Sequence, residues 1–238
     1  MPLAAAPQGL KRTEPLPERT TDDVERKARE LLAPFGLEIF GWFSLRGNGE
    51  SAAGLLVGNA GRAMWPVFSV SNEVRDGADD PLNRWTERIC GKVAISLGAE
   101  VRYPFGEDVW PFQQWAKDAT GVHSSPLGLL IHPTHGLWTA LRGALVFDQD
   151  FEVPRPEEKE SPCLSCDDKP CLSSCPVYAF TFDGYDSDLC RTYVRSAEGE
   201  ECRTNGCQAR RACPVGTAHE YSAEQQAFHM SIFARIRS

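Results

Sequence analysis

Apolar residues recur with two different periods along the first two thirds of the chain. Between Pro81 and Leu97 they fall every three or four positions, which predicts an amphipathic helix with one buried stripe. Shorter runs rich in β-branched and aromatic residues, bounded by Gly, Asn or Pro, predict strands. The predicted helices span 20–32, 81–97, 111–120 and 222–237, and the predicted strands span 37–45, 54–57 (closed by Gly58-Asn59), 99–103, 127–131 and 138–147.

The alternation of helices and strands predicts an α/β or α+β layered domain. The last two strands are expected to be joined by a turn through Pro133, His135 and Gly136. After residue 151 the composition changes, because 153–160 is a polar, Pro-bearing linker and the sequence beyond it is rich in Cys. We therefore expect a loose tail over 1–19, a cofactor-binding domain over 20–155 and a Cys-rich domain with a C-terminal helix over 156–238.

Composition and charge exclude several classes of protein. The chain of 238 residues is 42% hydrophobic and 10% aromatic, so it is globular. Its net charge of −8 is shared evenly by the two parts, which disfavours a nucleic-acid partner. The longest uncharged run, 119–141, is interrupted by Gly, Pro and His, so no membrane span is predicted. The N-terminus lacks a cationic and apolar signal, which indicates a cytoplasmic protein.

Eight of the nine cysteines lie in two groups that each end in Cys-Pro. The first group reads C-x2-C-x4-C-x3-C-P from Cys163 to Pro176, and the second reads C-x11-C-x4-C-x5-C-P from Cys190 to Pro214. The run C-x2-C-x2-C-x3-C-P holds clusters in bacterial ferredoxins, so the pattern favours two [4Fe–4S] clusters. Two structural zinc sites and disulfides remain alternatives. The ninth residue, Cys90, is expected to be a small buried thiol.

In the ferredoxin pattern, the last cysteine of each group binds the other group's cluster. Applied here, this exchange defines two sets of ligands. The first set is Cys163, Cys166, Cys171 and Cys213, and the second set is Cys175, Cys190, Cys202 and Cys207.

The segment from Gly128 to Val146 contains His132-Pro133, then Gly136-x-Trp138 and Arg142-Gly143. This segment resembles the His-Pro…Gly-x-Trp-x-x-x-Arg-Gly segment of the intracellular cobalamin-processing chaperones. The Cys-rich part resembles the dicluster ferredoxin module of epoxyqueuosine reductase and the reductive dehalogenases. The resemblance implies a nitroreductase-like α/β core, a cobalamin in the front domain and two [4Fe–4S] clusters behind it.

The same resemblance implies a set of corrinoid contacts. They are His132, Pro133, Gly136, Trp138, Arg142 and Gly143. Two of them have a structural alternative, a turn residue for His132 and strand core for Trp138. Arg142, in an apolar strand, is expected to have an anionic partner. Tyr103, Asp108 and Tyr185 are possible proton donors, and the catalytic residue stays unassigned.

These observations predict an iron–sulfur oxidoreductase that passes single electrons to a corrinoid. Its expected partner is an electron donor such as a flavodoxin or a ferredoxin reductase. The alternatives are a ferredoxin-like carrier without an organic cofactor and a zinc-stabilised binding module.

Overall fold

A computed structural model describes residues 19–45, 52–149, 151–181 and 184–235. The predicted tail up to residue 18 and the predicted helix end beyond 235 lie outside these residues. The helices are α1 Thr21–Leu32, α2 Trp65–Phe68, α3 Asn72–Arg75, α4 Pro81–Leu97, α5 Phe112–Thr120, α6 Pro170–Ser173, α7 Ser187–Arg195, α8 Glu200–Asn205, α9 Gln208–Arg211 and α10 Ala223–Arg235. The strands are β1 Glu38–Ser44, β2 Ala53–Ala60, β3 Glu100–Arg102, β4 His123–Ser124, β5 Leu130–Ile131, β6 Thr139–Phe147, β7 Phe180–Thr181 and β8 Gly184–Tyr185.

The main sheet has four antiparallel strands in the order β1-β2-β6-β3. Every residue of β2 is buried, because the strand is central and is covered on both faces. The predicted end of this strand at Gly58-Asn59 is wrong. Beyond an irregularity at Val57/Gly58, the pairing with β6 continues to Ala60, which lies opposite Thr139.

Helices cover both faces of this sheet, which confirms the predicted mixed α/β class. On one face, α1 and α4 pack against Trp42, Leu55 and Leu145. On the other face, α5 packs against Phe43 and Leu56. Adjacent residues of β2 thus face opposite layers, as the pleat of a strand requires.

Helix α4 confirms its predicted bounds. Pro81 occupies its first turn, and Gly98 ends it with φ of 64°, a left-handed conformation that Gly adopts without strain. Trp85 and Ile89 are each 1% exposed, and Cys90 is fully buried beside them.

The segment 123–147 differs from the prediction. Strand β5 has two residues and pairs with β4, not with β6. A tight turn closed by reciprocal backbone hydrogen bonds between His132 and Gly136 follows it. The chain then enters β6 in the main sheet. Strands of two residues carry no detectable period, so local periodicity does not report this pairing.

The Cys-rich part consists of short helices and packs directly on the layers before it. We call residues 20–155 the front region and residues 156–235 the cysteine module. From α10, Phe228 contacts the rings of Trp65 and Phe68 at 5.5 and 5.2 Å. Asn59 of β2 donates a hydrogen bond to the hydroxyl of Tyr221 at 3.1 Å. Within the described residues, no helix is both long and apolar enough to span a membrane.

Candidate functional site

The thiols of the second set surround a cavity of about 530 Å³ in the cysteine module. Cys175 follows α6, Cys190 lies on α7, Cys202 on α8 and Cys207 at the start of α9. The remaining walls are mainly apolar, and they include Val177, Phe180, Val194 and Phe233. Three short helices and one loop therefore bring four thiols to the wall of one cavity.

The thiols of the first set are also neighbours of one another. Burial raises the pKa of the Cys171 thiol, and the nearby thiols Cys213, Cys163 and Cys166 raise it further. Burial likewise raises the pKa of Cys190, and Cys175 and Cys202 add to the effect. Each of these thiols is thus influenced by members of its own set.

The arrangement of the thiols is not that of a site for one ion. In the ranges that the structure describes, no group of three or more His, Cys, Asp or Glu side chains could hold a metal ion. Ligation of the eight thiols stays a prediction.

A second cavity, of about 570 Å³, lies in the front region between β6 and α5. Its lining is mostly apolar, and its cationic side chains are Arg142 and Arg210. Phe112 and Ala116 of α5 form one wall, while Leu137 and Ala140 belong to the segment that was singled out in the sequence. A concave, largely apolar cavity with a few polar groups is typical of small-molecule sites. We call it the front cavity.

Arg142 is the one member of the six predicted corrinoid contacts that lines the front cavity. Its Nε donates a hydrogen bond to Oδ1 of Asn59 at 2.8 Å. Burial lowers the pKa of this guanidinium. Among the described residues, the side chain that accepts this hydrogen bond is a neutral amide, and an anionic partner of Arg142 stays a prediction.

His132 is held in the turn that precedes β6. Its Nδ1 accepts hydrogen bonds from the backbone N–H groups of Thr134 and His135, both at 3.1 Å. Burial lowers the pKa of this imidazole to about 4, and the neighbouring His135 contributes to the shift. The ring lies edge-on to Phe40 at 6.3 Å, and Phe40 lines the front cavity. His132 therefore lies behind the cavity wall, in the role of a turn residue.

Gly136 and Trp138 lie where the front region meets the cysteine module. Gly136 has φ of +58°, and a Cβ there would lie 1.9 Å from the carbonyl oxygen of Val215. Trp138 is 1% exposed, and its ring packs against Tyr221 and the guanidinium of Arg210. These two residues hold the regions together.

The other two predicted contacts, Pro133 and Gly143, do not line the front cavity. Gly143 is a β6 residue whose Cβ would lie 3.4 Å from the carbonyl oxygen of Arg102. Pro133 is half-buried in the turn. Contact of these residues with a cofactor stays a prediction.

The front cavity and the cavity of the second set share one wall. Gly128, Leu129, Arg210 and His229 line both spaces. Arg210 donates from Nε and Nη2 to the carbonyl oxygen of Leu137, so it is anchored on the front region. Neither Arg210 nor His229 was predicted from the sequence to lie at this wall. The available signal was the position of Arg210 between Cys207 and Cys213, because residues between two predicted ligands are expected near the group that those ligands would bind.

His229 is the polar group of this wall without a partner in the described residues. Its Nε2 is buried and makes no hydrogen bond there. Burial lowers the pKa of the imidazole to about 3, and the positive charges of Arg142 and Arg210 add to the shift. The ring is therefore neutral at physiological pH, with one nitrogen available to a bound group or a water molecule.

The three possible proton donors are widely separated. Burial raises the pKa of Tyr103 to about 12, and its hydroxyl faces the carbonyl oxygen of Glu87 on α4. Tyr185 lines the cavity of the second set, and Asp108 lies in the exposed segment before α5. The structure does not bring them together.

Comparison with known proteins identifies the fold of this chain. No protein-family profile and no curated protein match the sequence. The structure of CblC, a B12-trafficking protein of C. elegans, aligns over 90% of this chain and 92% of that chain, with a TM-score of 0.52 and 17% identity. This chain shares the CblC fold.

Two structures of epoxyqueuosine reductase also align at lower similarity. One, in complex with a tRNA-Tyr stem loop, covers 87% of this chain and 68% of that chain, with a TM-score of 0.49 and 13% identity. The other, from Bacillus subtilis, covers 86% of this chain and 69% of that chain, with a TM-score of 0.49 and 14% identity.

Proposed function

We propose that this protein is an iron–sulfur oxidoreductase that passes single electrons through two [4Fe–4S] clusters toward a corrinoid in the front cavity. The observation that carries the proposal is the wall shared by the front cavity and the space between the four thiols of the second set. Electron transfer requires a short path between redox groups, and Arg210 and His229 span this one. The cysteine module would then be a dicluster ferredoxin module, and the front region a nitroreductase-like core.

The residues of the cysteine module fit a pair of clusters. The first set would hold one cluster and the second set the other. Cys thiolates are the usual ligands of [4Fe–4S] clusters, and four of them enclose a mainly apolar space here. Metal binding would also fix the short helices that carry these thiols.

The residues of the front cavity fit a mainly apolar ligand with polar edges. A bound corrinoid would supply a cobalt centre that takes up single electrons. Phe112, Leu137 and Ala140 would exclude water from one face of the ligand. Arg142, positioned by Asn59, would offer a fixed donor to an acceptor group on it. His229 would direct its unpartnered Nε2 toward a bound group.

An external donor would have to supply the electrons. We expect a flavodoxin or a ferredoxin reductase of the cytoplasm to do so.

The test is an anaerobic visible spectrum with iron, sulfide, cobalt and zinc analysis, repeated while cobalamin is added. About eight irons per chain and a spectral change on adding cobalamin would support the proposal. Ala140→Phe places a ring in the front cavity and should abolish the cobalamin response while the iron content stays unchanged. Ile95→Phe, on an 84% exposed position of α4, is the matched control.

Three results would contradict the proposal. Iron without a cobalamin response indicates an electron carrier without an organic cofactor. Zinc without iron indicates a structural module. A cobalamin response that Ala140→Phe leaves intact would show that the ligand binds elsewhere.

A further inference from the structure

The sulfur atoms of the second set accept hydrogen bonds. The backbone N–H of Ala179 donates to Sγ of Cys175 at 3.3 Å. Nε2 of Gln208 donates to Sγ of Cys202 at 3.7 Å, within the range for sulfur acceptors. In the part of the chain that the structure describes, these are the two donors that reach a cysteine sulfur by distance and angle.

The remaining two sulfurs of this set also face donors. The hydroxyl of Tyr185 faces the Cys190 sulfur, and the Tyr185 ring stacks on Phe180 at 4.7 Å. Burial is the main cause of the raised pKa of Tyr185, and the neighbouring Cys190 thiol adds to it. The backbone N–H groups of Ala209 and Arg210 face the Cys207 sulfur. Among the described residues, two sulfurs of the second set thus accept hydrogen bonds by distance and angle, and the other two face donor groups.

The first set has fewer such donors. The hydroxyl of Ser161 faces the Cys163 sulfur, and the backbone N–H of Leu172 faces Cys171. By the distance and angle that the donors to Cys175 and Cys202 meet, no sulfur of the first set accepts a hydrogen bond within the described residues. Nζ of Lys169 donates to the backbone carbonyl of Cys166.

Burial does not separate the two sets. In the first set, Cys171 and Cys213 are buried and the other two thiols are half-buried; in the second set, Cys175 and Cys202 are buried and the other two are half-buried. Solvent exposure also affects the potential of a cluster, and this balance gives no reason for a difference between the two sets.

Hydrogen bonds to the sulfurs of a cluster raise its reduction potential. Reduction adds negative charge that is shared with the sulfurs, and N–H or O–H dipoles stabilise this charge. We propose that Tyr185 and Gln208 are positioning residues that raise the potential of the cluster in the second set above that of the first. This inference rests on the proposed function.

The difference in potential gives the electron path a direction. One electron from an external one-electron donor would reduce the cluster of the first set and then move to the second set, so that the first is reoxidised as the second is reduced. No bond or proton is exchanged in this step. The second set is the one that shares a wall with the front cavity. The more positive potential therefore lies next to the proposed electron acceptor.

The experiment is an anaerobic redox titration of the full chain with both clusters loaded, followed by electron paramagnetic resonance. We expect two couples. Tyr185→Phe removes one hydroxyl and keeps the stacked ring, and Gln208→Leu removes the amide. Each should shift the couple of higher potential to a more negative value and leave the lower couple unchanged. Ser161→Ala should shift the lower couple instead.

Tyr178→Phe is the matched control, because this tyrosine is 69% exposed, and we expect no shift. If Gln208→Leu fails to load iron, Tyr185→Phe carries the test alone. A loaded protein whose higher couple does not move in Tyr185→Phe, or whose lower couple moves, would overturn the inference and leave the proposed function intact. A wild-type protein without iron would overturn both.

Discussion

The front region and the cysteine module are built on different physical principles. The largest fully buried side chains, among them Trp42, Trp85 and Phe147, all belong to the front region. In the cysteine module the buried apolar residues are mostly small, such as Ala179 and Ala209, and four of the buried residues are cysteines. Burial of apolar surface therefore stabilises the first region, while the second has little such surface to bury.

This difference indicates that the stability of the cysteine module depends on something other than a hydrophobic core. Its helices α6, α8 and α9 have four to six residues, too few to be stable alone. A small region of this kind needs cross-links or metal, and its thiols are free cysteines. We expect the metal to contribute the folding free energy that the front region obtains from its core.

The largest expected effect is that of removing iron. Chelation under anaerobic conditions should speed amide hydrogen exchange over 187–213 by more than about a hundredfold, because local opening no longer breaks metal–thiolate bonds. The strands β2 and β6 should keep their protection. Hydrogen exchange followed by mass spectrometry of the loaded and chelated protein measures both. Equal loss of protection in both regions would show that they fold as one unit.

The second prediction concerns the contact between the two regions. Gly136→Ala should lower the free energy of unfolding by about 2–5 kcal/mol, since it combines a left-handed φ with a collision against the backbone of Val215. Gly128→Ala is the control, because Gly128 has φ of +72° and open space around the added Cβ. It should cost only about 1–2 kcal/mol. Denaturant unfolding of both variants checks the difference, and equal losses would mean that the close approach to Val215 is unimportant.

The smallest effect is the pH dependence of the turn at His132. Its pKa is lowered from an ordinary 6.5 to about 4, so the folded state favours the neutral ring. The stabilisation is complete above about pH 6.5 and is lost as the pH falls toward 4. His132→Asn retains a side-chain acceptor for the turn but does not titrate. The loss of stability on acidification should therefore be smaller in this variant, by about 1 kcal/mol after screening.

Urea unfolding at pH 7.5 and pH 5 measures this effect. His123→Asn, on the adjacent strand β4, is the matched control and should behave as the wild type. The same pH dependence in His132→Asn and the wild type would contradict the assignment of Nδ1 as the acceptor in this turn.

Sequence reasoning located most elements of the front region but not their pairing. The bounds of α4 and the helix predicted over 20–32 follow from local patterns, and the structure confirms both, with Thr20 as the N-cap of α1. The pairing of β5 with β4 was missed, because strands of two residues carry no detectable period. The two short helices α2 and α3 were also missed, since four residues carry no detectable period.

Sequence reasoning was limited in the same way at the candidate site. The motif between Gly128 and Val146 marked Arg142 as a candidate contact residue in the sequence. The structure places its side chain at the front cavity. Trp138 and Gly136 belong to the same motif, yet they pack against the cysteine module. The spacing of residues along one strand and turn does not show whether a side chain lines a cavity or packs against a distant segment.

The sequence by itself determined the mixed α/β class, the buried helix α4 and the division of eight thiols into two groups, because each depends on residues close together in the chain. Only the tertiary structure decided that Arg210 and His229, from α9 and α10, form the wall between the front cavity and the thiols of the second set. It also decided which sulfurs receive hydrogen bonds. The physical reason is that such contacts join segments far apart in sequence, and their geometry exists only when the whole chain is packed.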